Sequence, residues 1–515
     1  MDKDRHAWSI YFGLETEVGI AVREKPDADV VEESIHLVRA AAQLGSPNLW
    51  DYTREDPHQD VRGFRVKELR QDADEANFFS QDRQRPYSFE EIKSDFVLRN
   101  GARFYNDHTH PEYSTPECST LAELVAQDKA GERILEECSR AASRRRSHTV
   151  RLYKNNTDFA GHSYGCHENY LIPRSIPWER LVEGMLPFLV TRQIFAGAGK
   201  LGWEREDHGT ITGGYQISQR ADFFTELVGI DTMNRRPLIN TRDEPHANPK
   251  MFRRFHVILG DANLSEFSTW LKVGTTALVL EALQFDRAPK HLALADPLRA
   301  NRMISRDPSL RWEVDLANGG KITAPELQYE YACWVERTLD LDNPEKREVC
   351  RAWKEIALTL ANDPMILKDR LDWVAKKWLL ETFRQEQKLD WNDPWLQSLD
   401  LEYHLLDREE GLYFMLEAAG HIRRLCREED VYRAIQQPPS HSRAFVRGKC
   451  IQKFSHHLIN VQWDYVTFRH RGEMYRMDLA SAFPGADLER YCEVIQRAQD
   501  LGEVVRELGL QPMSG

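Results

Sequence analysis

The pattern of hydrophobic and polar positions predicts several separate strands and helices. Residues 8–20, WSIYFGLETEVGI, combine aromatic and β-branched residues and predict a strand that ends near Gly19. Residues 102–107 (ARFYND) and 149–155 (TVRLYKN) predict two more strands by the same criteria. Residues 255–263, FHVILGDAN, predict a buried strand that leads into a polar loop.

Helical patterns occupy the middle of the chain and much of its second half. Residues 118–145 predict one helix. The segment SEFSTWLKVGTTALVLEAL predicts another, for which Ser265 is a suitable N-cap because its side chain can bond the first turn. Residues 321–430 are mostly helical by pattern.

Two compositional features predict how the chain is divided. Pro438 and Pro439 mark a boundary, which predicts a large domain over residues 1–435 and a small C-terminal domain over residues 436–515. Residues 51–98 are highly charged and poor in aliphatic residues, which indicates a long insertion in the large domain. A solvated linker explains the composition of this segment equally well.

The overall composition excludes several classes of protein. The 515-residue chain has 41% apolar and 29% charged residues, which suits a globular protein with a core. Its net charge of −13 argues against a general nucleic-acid binder, which would usually be basic. No run approaches the roughly 18–20 apolar residues that a membrane-spanning helix needs, and the N-terminal MDKDRHAW lacks the apolar stretch of a signal peptide. We expect no nucleic-acid or membrane partner.

The cysteines indicate the compartment. Eight cysteines are scattered along the chain, and none forms a CxxC pair. This arrangement is typical of reduced thiols rather than of a disulfide framework or a zinc site. We therefore expect a cytoplasmic protein.

Two carboxylates in GLETEVG are candidates for binding a cation. Glu15 and Glu17 are two positions apart, so on a strand their side chains face the same way. Carboxylate oxygens suit Mg²⁺, especially Mg²⁺ that also binds nucleotide phosphates. The alternative is an edge strand with a solvated acidic face, and taken alone this pattern favours that alternative.

A second dense group of polar residues lies in RNGARFYNDHTHPEYSTPE, residues 99–117. Arg103, Tyr105 and Asp107 share one face of the predicted strand, and Glu112 follows a proline that fixes the turn. An aspartate with the ordinary pKa of about 3.9 is a poor base unless its neighbours change that pKa. A charged turn with a helix cap is the structural alternative.

Polar loops after apolar strands supply further candidates. They carry His167, Glu168, His246 and His256, which are candidate metal ligands or acid–base groups. A single histidine is more often structural, but together these loops predict one polar cleft assembled from the ends of a sheet.

Arg443 and Arg447 are four residues apart in SRAFVRGKC, and paired guanidinium groups suit phosphate or a developing negative charge. A surface salt bridge is the alternative for either arginine. The sequence has no P-loop, no convincing GxGxxG fingerprint, no GxSxG elbow and no protein-kinase motif set. Any nucleotide site must therefore be of another type, and carboxylates, histidines and arginines on an antiparallel sheet fit the architecture of glutamine synthetases.

Six motifs, in chain order, resemble those of the Pup ligase/depupylase family: GLETEVGI, NGARFYNDHTHPEYS, YKNNTDFAGHSYGCHENY, INTRDEPHA, HVILGDANLSE and LKVGTTALVLE. The similarity runs from about residue 10 to Trp463. The resemblance implies an α+β fold, in which a glutamine-synthetase-like antiparallel sheet packs with helices and joins a small C-terminal domain. It also implies ATP and Mg²⁺ as cofactors, and Pup, or a Pup-like modifier, and pupylated proteins as partners. We expect a monomer.

The resemblance also implies roles for individual residues. Asp107 matches the catalytic aspartate of the family. The implied metal positions are Glu15, Glu17, Tyr105, Glu112, Glu168 and His256. The implied cofactor contacts are Arg103, Thr115, Arg242, Asn263, Ser265, Arg443, Arg447 and Trp463, and Trp463 is expected to contact the nucleotide base. Asp107 either attacks the γ-carbonyl of the substrate directly or activates a water, and these two roles stay open.

The family contains two opposed activities that act at the same γ-carbonyl. The ligase uses ATP to join the C-terminal Glu of Pup to a substrate lysine, whereas the depupylase cleaves that bond and in many species also deamidates a C-terminal Gln. Three segments favour the depupylase, because WDYTREDPHQDVRGF, DHTHPEYS and GGYQISQRADFF resemble its forms. Cys166 is the ligase-like choice. The ligase is therefore the alternative, and a non-catalytic Pup-binding protein is a further one.

Overall fold

The computed structural model describes residues 8–70, 85–107, 109–159, 161–204, 210–483 and 485–513. The strands, numbered in chain order, are β1 (Tyr11–Glu17), β2 (Gly19–Val22), β3 (Gly45–Pro47), β4 (Phe96–Leu98), β5 (Arg103–Asp107), β6 (His110–Ser114), β7 (Val150–Tyr153), β8 (Cys166–Pro173), β9 (Lys200–Glu204), β10 (Thr210–Gln216), β11 (Phe224–Gly229), β12 (Arg236–Asn240), β13 (Phe252–Val257), β14 (Glu313–Asp315), β15 (Lys321–Thr323), β16 (Leu458–Gln462), β17 (Tyr465–His470) and β18 (Glu473–Asp478).

The α-helices are α1 (Val30–Arg39), α2 (Phe89–Lys93), α3 (Leu121–Arg146), α4 (Trp178–Thr191), α5 (Gln193–Ala196), α6 (Glu266–Phe285), α7 (Pro297–Arg306), α8 (Ala324–Thr338), α9 (Pro344–Asn362), α10 (Asp372–Gln387), α11 (Pro394–Glu402), α12 (Leu412–Ala418), α13 (Glu428–Gln436), α14 (Arg443–Phe454), α15 (Leu479–Ala482), α16 (Ala486–Arg497) and α17 (Leu501–Leu508). No helix of the described residues combines the length and the apolar character that crossing a membrane requires.

A seven-stranded sheet carries the architecture, in the order β13-β8-β1-β6-β5-β4-β3, and all its neighbouring strands are antiparallel. Side chains alternate between its two faces, as the strand period of two requires. In β1, Phe12, Leu14 and Thr16 are buried in the core, whereas Glu15 and Glu17 are half-buried on the opposite face. The polar face of the sheet is therefore available for a site.

Helices cover the apolar face. The largest core cluster joins Phe12 and Leu14 of β1 to residues of α4, α6, α8 and α9. Helix α6 is mostly apolar and begins as predicted, since the Ser265 hydroxyl accepts a hydrogen bond from the N–H of Ser268 at 3.2 Å. The predicted helix over 118–145 begins at Leu121, because Thr120 caps it by accepting from the N–H of Glu123.

Two predicted strands differ from the observed ones. The strand predicted over 8–20 breaks at Val18, whose N–H donates to the carbonyl of Pro111, and the chain continues as β2, which pairs with β7. The strand predicted over 255–263 ends at Val257, because the next two carbonyls, of Ile258 and Leu259, accept hydrogen bonds from arginine side chains instead of from a strand. Side-chain donors of this kind leave no signal in the local sequence.

The C-terminal elements form a three-stranded sheet, β16-β17-β18, that packs with α14, α16 and α17. The core of this unit also includes Trp50 and Val97 from the first hundred residues. The boundary near residue 436 therefore stays a prediction. Within the predicted insertion 51–98, residues 71–84 lie outside the described part of the chain. Of the described residues, Phe96–Leu98 form β4 of the large sheet, and Glu55, Pro57 and Leu69 line the space over its polar face.

Candidate active site

A cleft of about 790 Å³ lies over the polar face of the seven-stranded sheet. The strand register sets Glu15 opposite His167 and Glu17 opposite Glu112. It also sets Tyr105 opposite Glu112. The cleft thus forms largely on the face of the sheet, whereas the sequence predicted it at the strand ends. Its lining includes Glu15, Glu17, Arg103, Tyr105, Asp107, Glu112, His167, Arg220, Arg242, Arg254, His256 and Trp463.

One group of carboxylates in the cleft consists of Glu17, Asp107 and Glu112, with one oxygen of each within 4.8 Å of the others. The Tyr105 hydroxyl donates to Oε1 of Glu112 at 2.9 Å. Burial, and after it the negative charge of Asp107, raise the pKa of Glu17 to about 7 and raise the pKa of Glu112 well above its ordinary value. Three crowded carboxylates fit a divalent cation with oxygen ligands, such as Mg²⁺.

A second group combines Glu15 with His167 and His256. His256 is 3% exposed, and its Nδ1–H donates to Oδ1 of Asn240 at 3.2 Å. Its Nε2 has no hydrogen-bond partner among the described residues and lies 4.0 Å from Oε2 of Glu15. Burial lowers the pKa of both histidines, so each is a neutral imidazole with a lone pair. A buried imidazole nitrogen that accepts no hydrogen bond and lies beside a carboxylate fits the binding of a cation.

The titration of Glu17 gives a prediction for cation binding. Below the pKa of about 7 a proton occupies this carboxylate, so a cation must displace the proton in order to bind. We expect the apparent affinity for Mn²⁺, used as a paramagnetic substitute for Mg²⁺, to rise by about tenfold or more per pH unit up to about pH 7, because Glu112, whose pKa is also raised, must lose its proton as well. Electron paramagnetic resonance titrations between about pH 6 and pH 8 measure it.

The matched control for this prediction is Glu17→Gln, which should bind Mn²⁺ more weakly but with less dependence on pH. An affinity that stays constant across the range in the unmodified protein would contradict the assignment of Glu17 to the cation group.

Asp107 lies at the end of β5 and is one of the three carboxylates in the group with Glu17 and Glu112. Its Oδ1 accepts a hydrogen bond from Nζ of Lys93 at 2.6 Å. Asp107 also faces the open cleft, where a substrate carbonyl or a water can approach it. The structure therefore places the predicted catalytic residue within the predicted metal group.

Arg103 lies in the cleft but is already paired. Its Nε and Nη2 donate to Oδ2 of Asp95 at 2.9 and 2.7 Å, and its Nη1 lies 3.4 Å from Oε1 of Glu55. Its guanidinium carbon lies 3.8 Å from the centre of the Tyr105 ring. Arg242 also lines the cleft, and its Nη2 donates to the Thr232 hydroxyl at 2.9 Å.

A smaller cavity of about 90 Å³ adjoins the cleft between the large sheet and the C-terminal unit. The two share Glu15, His246, Arg254 and Trp463. Trp463, Tyr11 and Phe483 give this cavity aromatic walls, and Thr115 and Arg443 add polar groups. The Thr115 hydroxyl also accepts from the N–H of Leu14 at 2.9 Å. An aromatic cavity next to a cation site fits a nucleotide base whose phosphates extend into the cleft.

Arg443 and Arg447 share one partner, Glu117. Nη2 of Arg443 and Nη1 of Arg447 each lie 2.9 Å from Oε1 of this carboxylate. Burial opposes ionisation of Glu117, but the two guanidinium groups lower its pKa to about 2. Arg443 lines the smaller cavity, as a cofactor contact requires. Arg447 is 1% exposed, lines neither cavity, and donates to the carbonyl of Trp463 at 2.9 Å, so it supports Trp463 instead of facing a phosphate.

The structure corrects the expectation for Glu168. The alternation of β8 puts His167 on the cleft face and Glu168 on the core face. There, Nη1 and Nη2 of Arg192 donate to the two oxygens of Glu168 at 2.9 and 2.5 Å, and the Tyr170 hydroxyl donates at 2.6 Å. Glu168 therefore forms a buried ion pair and does not reach the metal groups.

Asn263 and Ser265 are also placed away from the cleft. Nδ2 of Asn263 donates to Oδ2 of Asp372 at 3.0 Å, and the N–H of Ser265 donates to Oδ1 of the same carboxylate at 3.0 Å. Both residues are buried where helices α6 and α10 begin. They fix the start of α6 and are not cofactor contacts in this arrangement.

Some residues of the cleft had no assigned role in the sequence analysis. His167 was named only as a candidate, although the strand period from Asn169 places it on the polar face. Arg254 lies two positions before His256 on β13 and shares its face. Arg220 lies in GGYQISQRADFF, which served only as a family marker, and its Nη1 donates to the carbonyl of Ile258 at 2.6 Å.

A model of the Pup-ligase protein family matches residues 10–467 of the chain. The chain belongs to this family. Three relatives of this Pup-ligase family member span most of it. The depupylase of Acidothermus cellulolyticus is 44% identical over 466 residues, which cover 88% of this chain and 90% of that protein. The Pup deamidase/depupylase of Mycolicibacterium smegmatis is 41% identical over 474 residues, covering 90% and 92%. The Pup–protein ligase of Acidimicrobium ferrooxidans is 44% identical over 392 residues, covering 74% and 85%.

Two solved structures match the fold of this Pup-ligase family member. The complex between Pup and its ligase PafA gives a TM-score of 0.75 at 29% identity, over 96% of this chain and 94% of that chain. The ligase PafA in complex with ADP gives a TM-score of 0.70 at 32% identity, over 84% and 96%. The predicted α+β fold with an antiparallel sheet is confirmed, and a nucleotide is bound by a protein of the same fold.

Proposed function

We propose that this chain is an ATP- and Mg²⁺-dependent depupylase. It hydrolyses the isopeptide bond between the side chain of the C-terminal Glu of Pup, or of a Pup-like modifier, and a lysine of the conjugated protein. It also deamidates a C-terminal Gln of the modifier. The observation that carries this proposal is the span of the relatives, since the depupylases align with 88 to 90% of the chain and the ligase with 74%.

The predicted insertion supports the same assignment. Of its described residues, Glu55, Pro57 and Leu69 line the cleft, and Lys93 contacts Asp107. A solvated linker, the alternative that the composition allows, would not be expected to place four residues at a site. We propose that the protein works as a monomer in the cytoplasm, where the eight free cysteines stay reduced.

The residues present fit the two cofactors. Mg²⁺ would be held by the carboxylates Glu15, Glu17 and Glu112, by Tyr105 and by the imidazole of His256, and ATP would lie between Trp463 and the cleft. When bound, Mg²⁺ would neutralise the crowded carboxylates and supply a Lewis acid beside the reacting carbonyl.

The chemistry at the bond belongs to Asp107. It either attacks the γ-carbonyl and forms an anhydride, which water then hydrolyses, or removes a proton from a water that attacks directly. In both routes the carbonyl oxygen gains negative charge. In the second route the leaving amine takes the proton that Asp107 removed from water, and in the first it takes a proton from a water in the open cleft. Arg220, Arg242 and Arg254 line the cleft and provide fixed positive charge that stabilises such an oxyanion.

Mass spectrometry of a purified Pup–protein conjugate, incubated with this protein, Mg²⁺ and ATP, tests the proposal beside a sample of Pup ending in Gln. Free Pup ending in Glu together with intact target protein, without matching ATP consumption, is the expected result. Conversion of the Gln form adds the deamidase. New isopeptide bonds with stoichiometric ADP release would instead establish the ligase, and no change in either sample would leave a binding role.

Trp463 gives a separate prediction for the nucleotide. We expect Trp463→Ala to weaken ATP binding by about tenfold or more, because aromatic stacking on a base contributes about 1–3 kcal/mol. Trp463→Phe should retain most of the affinity. Trp395→Ala is the matched control, since Trp395 is 45% exposed on α11. Isothermal titration calorimetry measures the three affinities, and equal values for the two alanine variants would remove Trp463 from the nucleotide site.

A further inference from the structure

Lys93 contacts the residue at the centre of the proposed reaction. Its Nζ donates to Oδ1 of Asp107 at 2.6 Å, and the side chains of Lys93 and Asp107 are 14% and 29% exposed. The lysine is the last residue of α2, in the predicted insertion. An ion pair that is mostly withdrawn from water is stronger than an exposed one, because the dielectric screening around it is smaller.

The helix that presents Lys93 is fixed at both ends. A capping box at Ser88 and Glu91 begins it, and Ser94, in the left-handed conformation at φ 45°, ends it. The next residue, Asp95, is buried and binds Arg103 of β5. The caps of α2 and the adjacent ion pair therefore fix the position of Lys93.

The same helix is attached to the strand that carries Asp107. Nδ2 of Asn106 donates to the carbonyl of Ile92 at 3.1 Å, and Oδ1 of Asn106 accepts from the Ser34 hydroxyl at 2.7 Å. Nζ of Lys93 also lies 5.5 Å from the centre of the Tyr105 ring. Ile92 and Asn106, which directly precede Lys93 and Asp107 in the chain, are therefore hydrogen-bonded to each other. This bond fixes the geometry of the ion pair.

We propose that Lys93 is a positioning residue for Asp107. Its ammonium group holds Oδ1 and thereby restricts how the Asp107 carboxylate can turn relative to the substrate carbonyl or the attacking water. The contact also supplies positive charge to Asp107 beside Glu17 and Glu112, whose charges would otherwise repel it. This inference rests on the proposed hydrolysis and gives the insertion a direct part in it.

Lys93→Met keeps the length of the side chain and removes the donor. We expect kcat for conjugate cleavage to fall by about 10- to 100-fold, because misplacement by about 1 Å can reduce a rate about 100-fold, while KM and the thermal midpoint change little. Lys93→Arg restores a cationic donor and should recover most of the lost rate. Lys67→Met is the matched control, since Lys67 is exposed in the same insertion. A merely structural role would lower the thermal midpoint and would not separate kcat from KM.

A carbodiimide tests the contact without relying on activity. The reagent activates a carboxylate, and an adjacent amine then forms an amide with it. Mass spectrometry of the digested protein should find an amide between Lys93 and Asp107 in the unmodified chain and in Lys67→Met, but not in Lys93→Arg. If the unmodified chain does not cleave the conjugate, the proposed function is refuted. The cross-link still shows whether Lys93 contacts Asp107. An absent cross-link, or a Lys93→Met variant with unchanged or higher kcat, would overturn the positioning role.

Discussion

Replacing Asp107 by asparagine is expected to reduce cleavage of a Pup–protein conjugate by about 10²- to 10⁴-fold. The amide has the same shape as the carboxylate but neither attacks a carbonyl nor accepts a proton from water. Asp107 lies in the cleft and not among the residues that line the smaller cavity. Binding of a fluorescent ATP analogue should therefore stay close to normal while the initial rate of Pup release falls.

Asp340→Asn is the matched control, because Asp340 is exposed and lies outside both cavities. It should retain the full rate of cleavage. Full activity in Asp107→Asn would remove Asp107 from the mechanism. A parallel loss of nucleotide binding would instead show that this carboxylate supports the nucleotide site.

Replacing Glu168 by glutamine is expected to lower the free energy of unfolding by about 3–5 kcal/mol, the usual effect of breaking a buried ion pair. Although burial opposes it, the Arg192 contact holds the pKa of Glu168 below its ordinary value. The neutral amide leaves the Arg192 guanidinium buried without a counter-charge. Urea denaturation followed by tryptophan fluorescence measures the loss.

Glu179→Gln, at an exposed position of α4, is the control and should leave the unfolding curve unchanged. The two interpretations of Glu168 predict opposite results for Glu168→Gln. If Glu168 were a metal ligand, the variant would bind Mn²⁺ more weakly and keep its free energy of unfolding. If Glu168 forms a buried ion pair, the variant loses free energy of unfolding first. A stable Glu168→Gln variant with weakened cation binding would restore the role that the resemblance implied.

The strand period accounts for most of what the sequence predicted correctly about the cleft. Glu15 and Glu17 are two apart, as are Arg103, Tyr105 and Asp107, and each set faces the cleft. The same period applied to CHENY would have excluded Glu168, since His167 and Glu168 are adjacent and must face opposite sides of β8. A motif shared with a family therefore does not by itself place each of its residues in the site.

Other features of the site depend on contacts between distant segments. Asp372 holds Asn263 and Ser265 from about a hundred residues away, and Glu117 orients Arg447 from more than three hundred. Lys93 reaches Asp107 only because α2 is bonded to the neighbouring strand. The local sequence pattern identifies such residues as candidates, but the tertiary fold determines which of them face a cavity.

The carboxylate of Glu117 binds Arg443 and Arg447, and Arg447 in turn holds the backbone of Trp463. Glu117 belongs to the region of the large sheet, whereas Arg443, Arg447 and Trp463 belong to the C-terminal unit. Exchange of the C-terminal unit for one without arginines at these two positions would therefore leave the half-buried Glu117 carboxylate without its counter-charges. Substitutions at these four positions are thus coupled across the two units.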